Sequence, residues 1–186
     1  ITDAKIRSVS DLVPALEAVK DAGGRGLLIM GDEVVGEAMA TLVMNKMRGV
    51  LDCVAIEAPE YGDRRDALLE DLAAVTGGSL ISEKVGRALG SVVVDDLGRC
   101  ARVIVDREFT TLVGGHGSEA QVKFRVSQIE AQIAETTSPF DRESLQGRLA
   151  KLSGGVASLK VGGTTETEVK EKAFRVEDAV AATRAA

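Results

Sequence analysis

The segment best equipped for chemistry is Gly115-His116-Gly117-Ser118-Glu119-Ala120. Its G-x-G-x-x-A spacing follows a strand pattern and opens a helix pattern. That is the layout by which backbone N–H groups approach a pyrophosphate at a helix N-terminus. On this reading the chain is a dinucleotide-binding enzyme domain using Gly115–Ala120. The rest of such a unit does not follow. A second helix pattern stands where a parallel strand is required, and Glu135, the acid at the right distance, falls late in a helix. The plainer alternative is a glycine-rich strand-to-helix turn. No G-x-x-x-x-G-K-[ST] loop occurs anywhere in the chain.

Tyr61-Gly62-Asp63-Arg64-Arg65 is a second candidate, because paired arginines hold phosphate or carboxylate. Both arginines fall in a first helical turn, where the helix dipole disfavours cations. The expectation is a capped helix start with solvated charges. The acids of the last helix pattern, Glu166, Glu177 and Asp178, are likewise expected to be solvated. Asp178 can serve as a general base only if another segment brings a substrate to it. The single histidine, His116, cannot build a His-rich metal site, and no metal is expected. Two cysteines, Cys53 and Cys100, lie far apart without C-x-x-C spacing, as expected of small core residues in a reducing cytosol. No nucleophile–His–acid set is present.

Composition narrows the classes further. The 29 acids against 23 bases give a net charge of −6, the opposite of a nucleic-acid footprint. Four Phe, one Tyr and no Trp leave little for base stacking. No stretch approaches the ~18 apolar residues that cross a bilayer. At 186 residues, 45% of them hydrophobic, the chain is long enough for one domain, or one plus an appendage. It does not begin with Met, and it reads as a fragment of something longer.

The elements that must position these residues alternate. Strand patterns cover Gly26–Met30, Leu51–Ile56, Ala101–Val105 and Phe109–Val113. A first helix is expected over Leu12–Ala22, with Asp11 as N-cap and Pro14 in the first turn. A second covers Val34–Arg48, and a third opens at Asp63 and ends at Gly77-Gly78. Two longer helices form a hairpin. One runs over Ser118–Thr136 with Val122, Val126, Ile129 and Ile133 on a face. The next is capped by Ser138, with Pro139 at its first position and a Leu145, Leu149, Leu152 stripe. A short strand over Val156–Val161 and a last helix from about Glu166 close the chain. The paired glycines Gly154-Gly155 suit a hinge and divide it into 1–154 and 155–186.

The helix over Val34–Arg48 is unusual in one respect. At 100° per residue, Val35, Ala38, Met39, Leu42, Val43 and Met47 span about half its circumference, and Met44 lies outside even that arc. A surface helix needs only a ~100° stripe for its core. Either the helix is buried on two sides, or part of its apolar surface faces a partner. Methionine is favoured on adaptable binding surfaces. The helix over Leu12–Ala22 shows a milder version, with Leu12, Leu16 and Val19 in one stripe and Val13 widening it.

Five stretches carry a resemblance: DLVPALEAV, GEAMATLVMNKMRG, GDRRDALLEDLAAVTGG, the DRESLQGRLAKLSGGVA segment and KVGGTTETEVKEKAFRVEDAVAATRAA. They occur in the order found in group I chaperonins, the GroEL-type 60 kDa family, and the resemblance covers essentially all 186 residues. It implies an α/β fold, the layered β/β/α swivelling apical-domain fold with a helical hairpin, followed by a C-terminal intermediate-domain strand and helix. Residues 1–154 would be an N-terminally incomplete apical domain and 155–186 an intermediate-domain segment, with the hinge at Gly154 and Gly155. The implied function is binding of non-native polypeptides and of the 10 kDa co-chaperonin's mobile loop, through an apolar two-helix groove of Val13, Leu16, Met39, Val43 and Met44 with Asn45 as polar neighbour. Met stands at 39 and 44 where the family more often has Leu and Val.

The resemblance also implies that Asp178 positions the attacking water for ATP hydrolysis in the full-length ring. It gives Glu166 an inter-subunit salt bridge. The parent would be a cytoplasmic ATPase of stacked homo-heptameric rings, using ATP and Mg. The equatorial nucleotide loop is absent here, so this chain would hold no cofactor and would not itself be an enzyme. A folded but inactive fragment is a further alternative.

Overall fold

Short apolar runs and longer stretches with a helical period give a mixed α/β protein with small sheets. The computed structural model describes residues 1–107, 109–154 and 159–185. The chain divides into two compact units, Ile1–Gly154 and Gly155–Ala186.

In the first unit the strands are β1 (Lys5–Ile6), β2 (Gly26–Gly31), β3 (Glu33–Val34), β4 (Asp52–Glu57), β5 (Cys100–Val105) and β6 (Thr110–Gly115). The helices are α1 (Val9–Asp21), α2 (Gly36–Met47), α3 (Gly62–Thr76), α4 (Glu119–Glu135) and α5 (Pro139–Ser153). Three 3-10 turns, Glu83–Val85, Leu89–Ser91 and Val94–Asp96, link α3 to β5.

β2 and β4 pair in parallel from Gly26↔Asp52 to Gly31↔Glu57, with α2 as the crossover between them. A parallel pair needs such a connection, because its strands run the same way. β1 and β3 form a second parallel pair, and β5 and β6 an antiparallel hairpin. α1 and α2 approach each other, and α2 lies on β4. Ile6, Leu12, Ile29, Val34, Ala38, Leu42 and Cys53 make the core beneath them, with Leu16 and Met39 half-buried at its edge. The Cys53 thiol donates to the Leu42 carbonyl at 3.2 Å.

α1 starts earlier than the sequence suggests. Ser8, not Asp11, is the N-cap. Asp11 is the third helical residue, and its carboxylate accepts the N–H groups of Ser8 (3.0 Å) and Arg7 (3.2 Å). Those bonds hold the Asp11 carboxyl below its ordinary value. Pro14 therefore sits beyond the first turn, inside the helix, where it cannot donate to the Ser10 carbonyl.

α4 and α5 pack together and against α3, with Leu69, Ala73 and Ile129 buried between them. Serine caps both helix starts, the second as expected. Ser118 accepts from the Gln121 N–H and Gln121 accepts from the Ser118 N–H, while Ser138 caps the Asp141 N–H ahead of Pro139. Joining the three helices is a charged cluster without a sequence signal. Asp71, 3% exposed, receives Arg125 Nε at 2.6 Å and Arg148 Nε and Nη2 at 2.7 and 2.9 Å. Both arginines also donate to the Ala67 carbonyl.

The second unit contains α6 (Glu166–Ala185). The strand expected over Val156–Val161 lies partly outside the described residues. Leu159–Val161 is not extended sheet, and no strand of this unit is present among the described residues to pair with it. Gly155 of the expected hinge is also outside the described residues. Gly154 is the extended C-cap of α5, its N–H donating to Ala150 at 2.8 Å. Among the described residues no helix is long and apolar enough to cross a membrane.

The start of α6 is pH-sensitive. Lys172, then Thr164 through its hydroxyl and N–H, hold the Glu168 carboxyl at about 2, against an ordinary 4.5. A carboxyl depressed in the folded state stabilises it fully above the ordinary value and less as pH falls toward the depressed one. The local structure at Thr164 and Thr165 is expected to loosen between pH 4.5 and about 2. An NMR titration of the Glu168 carboxyl carbon checks this. A midpoint near 4.5 would mean the bonds are not held in solution.

Candidate functional site

The wide apolar arc of α2 is buried on one side only. Ala38 and Leu42 face the core at 0% and 3% exposure. Ala40, Val43, Met44 and Met47 are all exposed, and their i, i+3, i+4, i+7 spacing sets them on one stripe. At 100° per residue that stripe lies on the opposite side of the helix from Ala38 and Leu42. Val43, Met44 and Met47 are 47%, 45% and 78% exposed, so three large apolar side chains on this stripe meet water. Isolated exposed apolar residues are ordinary, but an adjacent set is not.

Gly36 opens α2 at φ 61°, a left-handed conformation that glycine adopts without strain. The polar residues of α2 bound the stripe. The Thr41 hydroxyl donates to the Glu37 carbonyl at 2.8 Å, and the Asn45 amide donates to the Thr41 carbonyl at 2.9 Å. On α1, Val13 is exposed and Leu16 is half-buried. Of the residues singled out from the sequence, Val13, Val43 and Met44 are thus exposed. Leu16, Met39 and Asn45 are half-buried, and Leu16 and Met39 pack on the core edge. All six lie on the two adjoining helices. Val50, just beyond α2, is exposed as well.

The glycine motif has a packing role. A Cβ at Gly117 would lie 1.9 Å from the Ala74 carbonyl oxygen, and one at Gly115 would lie 2.3 Å from that of Val75. The Gly117 N–H donates to the Val75 carbonyl at 2.8 Å. The glycines let this turn lie against the end of α3, and the N-terminus of α4 is capped by its own Ser118 and Gln121. β6 pairs antiparallel with β5, whereas a dinucleotide unit places the motif after a strand of a parallel sheet.

Arg64 is solvated, as expected, but paired, whereas Arg65 is shielded. Arg64 pairs with Asp141 at 2.7 Å and its guanidinium lies 4.4 Å from the Phe140 ring centre. Arg65 pairs with Asp32, and only 14% of its side chain is exposed. Both are occupied by helix-to-helix and helix-to-loop contacts, which leaves neither as an open phosphate site.

A cleft of about 880 Å³ in the first unit is lined by Val19, Leu27, Val54, Val103 and Leu112, with Cys53 and Cys100 on its wall. Burial pushes both thiols above their ordinary value, which keeps them protonated and poorly nucleophilic. In the second unit, Glu166 pairs with Lys170 at 2.8 Å on the surface of α6, and Asp178 is exposed further along the helix. Among the described residues no group of three or more His, Cys, Asp or Glu is placed to hold a metal. No protein-family model matches the chain.

Proposed function

We propose that this chain binds non-native polypeptide through the exposed apolar face of α1 and α2, as a chaperonin apical domain joined to part of an intermediate domain. The observation that carries this reading is the stripe of Val43, Met44 and Met47 on the side of α2 facing away from its own core. Unfolded chains expose apolar side chains. An adaptable apolar surface takes them up by burial, at roughly 25 cal/mol per Å², without reading a sequence. Methionine suits such a surface because its unbranched thioether adjusts to many shapes. An amphipathic or extended loop of a co-chaperonin would compete for the same face.

The finer fold description, a layered β/β/α swivelling apical domain over 1–154 with a hinge at Gly154 and Gly155, belongs to this reading. So do a cytoplasmic setting and a parent of stacked homo-heptameric rings. Within that parent, Asp178 would position water for ATP hydrolysis and Glu166 would exchange its Lys170 partner for one on a neighbouring subunit. Asp178 cannot by itself hold ATP or Mg²⁺, so the chain alone is proposed to bind and not to hydrolyse.

The test is a titration of a labelled, chemically unfolded polypeptide against the chain and its Val43→Glu variant. The wild type should bind in the micromolar range, about −8 kcal/mol. The variant should bind at least tenfold more weakly, with a melting transition almost unchanged, since surface substitutions stay within about 0.5 kcal/mol. Equal binding by the two would overturn the assignment.

A further inference from the structure

The four methionines of the chain differ in exposure. Met30 is 4% exposed on β2, and Met39 is half-buried at the core edge. Met44 and Met47 are 45% and 78% exposed. Three residues apart on α2, these two are neighbours on the apolar stripe, and Val43 is four residues before Met47 on the same stripe. Oxidation of a thioether to a sulfoxide turns a flexible apolar side chain into a polar one. Nothing else on the stripe can change polarity in this way, since Ala40 and Val43 are inert.

We propose that Met44 and Met47 are a peroxide-sensitive modification site that switches this face from apolar to polar. The inference rests on the polypeptide-binding reading of the same face. In each step a peroxide delivers one oxygen to the sulfur lone pair. The S–O bond forms as the O–O bond breaks, sulfur is oxidised, and hydrogen peroxide leaves as water. The fold is spared because the two methionines that support it are sheltered. A methionine sulfoxide reductase pair, one enzyme for each epimer, reverses the change with a dithiol reductant: the S–O bond breaks, the oxygen leaves as water and the dithiol becomes a disulfide. Leucine at 44 and 47 keeps similar apolar bulk without sulfur, and so separates loss of apolarity from other oxidative damage, including any at Cys53 or Cys100.

The experiment treats the intact chain with hydrogen peroxide at a dose that leaves its circular dichroism and melting unchanged. Peptide mass mapping then locates the added oxygens, and a carboxymethylated, labelled unfolded polypeptide is titrated. Met44 and Met47 should each gain oxygen before Met39 and Met30. Affinity should fall about tenfold or more, as expected when buried apolar groups become polar, and return after reductase treatment. The Met44→Leu/Met47→Leu variant should bind as well after peroxide as before. Oxidation that reaches Met30 or Met39 first overturns the switch. So does full oxidation of Met44 and Met47 with unchanged affinity, while Val43→Glu still abolishes binding; in both cases the binding face itself stands. If the untreated chain and Val43→Glu bind alike, the face assignment fails and the switch falls with it.

Discussion

Alanine at position 71 should cost the chain about 3–5 kcal/mol of folding stability, the largest loss expected from any single side-chain truncation outside the apolar core. Asp71 is 3% exposed and stands between two arginines whose side chains are 17% and 13% exposed. Removing the carboxylate leaves two positive charges in a shielded site. Glu70, bonded to Arg125 at 2.7 Å, the neutral Gln128 side-chain oxygen at 3.1 Å from Arg125, and the Ala67 carbonyl are left to answer them. Uncompensated buried charge is what makes breaking such a cluster costly, even where the intact cluster contributes little. Replacing all three with apolar residues (Asp71→Leu, Arg125→Met, Arg148→Met) should therefore recover most of the loss. Urea unfolding of the single and triple variants measures both. The exposed Glu119–Lys123 pair is the control, because i,i+4 surface pairs contribute about 0.5 kcal/mol at most. A loss below about 1 kcal/mol for Asp71→Ala would mean that water reaches the cluster. A small domain holds only about 5–15 kcal/mol in total, so the expected loss decides whether α3, α4 and α5 stay packed.

That cluster also marks where sequence stops informing structure. In LLEDLAAV, Asp71 has the neighbours of any solvated helix acid, and its partners lie 54 and 77 residues away. Local pattern carries no trace of such pairings. Where local chemistry decides the outcome, the expectations agree with the structure. Ser138 ahead of Pro139 and Gly77 after α3 each satisfy or end a helix within a few residues. The start of α1 differs from the expectation because Ser8 and Asp11 are both good capping residues. The structure uses Ser8 as the cap, and Asp11 reaches back from the first turn. β1 and β3 are two residues each, shorter than any period. Residues 79–99 turn through 3-10 segments without repeating apolar spacing. For α2, periodicity revealed too much apolar surface but not which side was covered. Covering depends on what the tertiary fold sets against the helix, and here β4 and the core take Ala38 and Leu42 and leave Val43 outside.

The glycine motif separates two physical uses of one pattern, and substitution distinguishes them. Gly117→Ala should destabilise the chain by about 3 kcal/mol, the upper range for forcing extra atoms into a packed site. Its new Cβ would stand 1.9 Å from the Ala74 carbonyl oxygen, a main-chain atom of α3 that cannot swing aside as a side chain could. The turn must lift, and the Gly117 N–H bond to Val75 is lost with it. Gly115→Ala should act in the same direction, meeting the Val75 carbonyl at 2.3 Å. His116 between them is exposed, so His116→Ala should change stability by no more than about 0.5 kcal/mol. A phosphate cradle would show a different signature: alanine at the glycines would weaken a nucleotide and leave melting nearly unchanged, since the space it fills belongs to the ligand. Melting curves of the three variants therefore separate the uses without any ligand. Two large losses flanking a silent histidine assign the glycines to the contact between this turn and α3. Small losses at both would return the motif to the candidates for binding. The close approach also explains why the sequence admits both readings. A backbone that must pass within van der Waals distance of a carbonyl and one that must pass within hydrogen-bonding distance of a phosphate need the same thing, a missing Cβ.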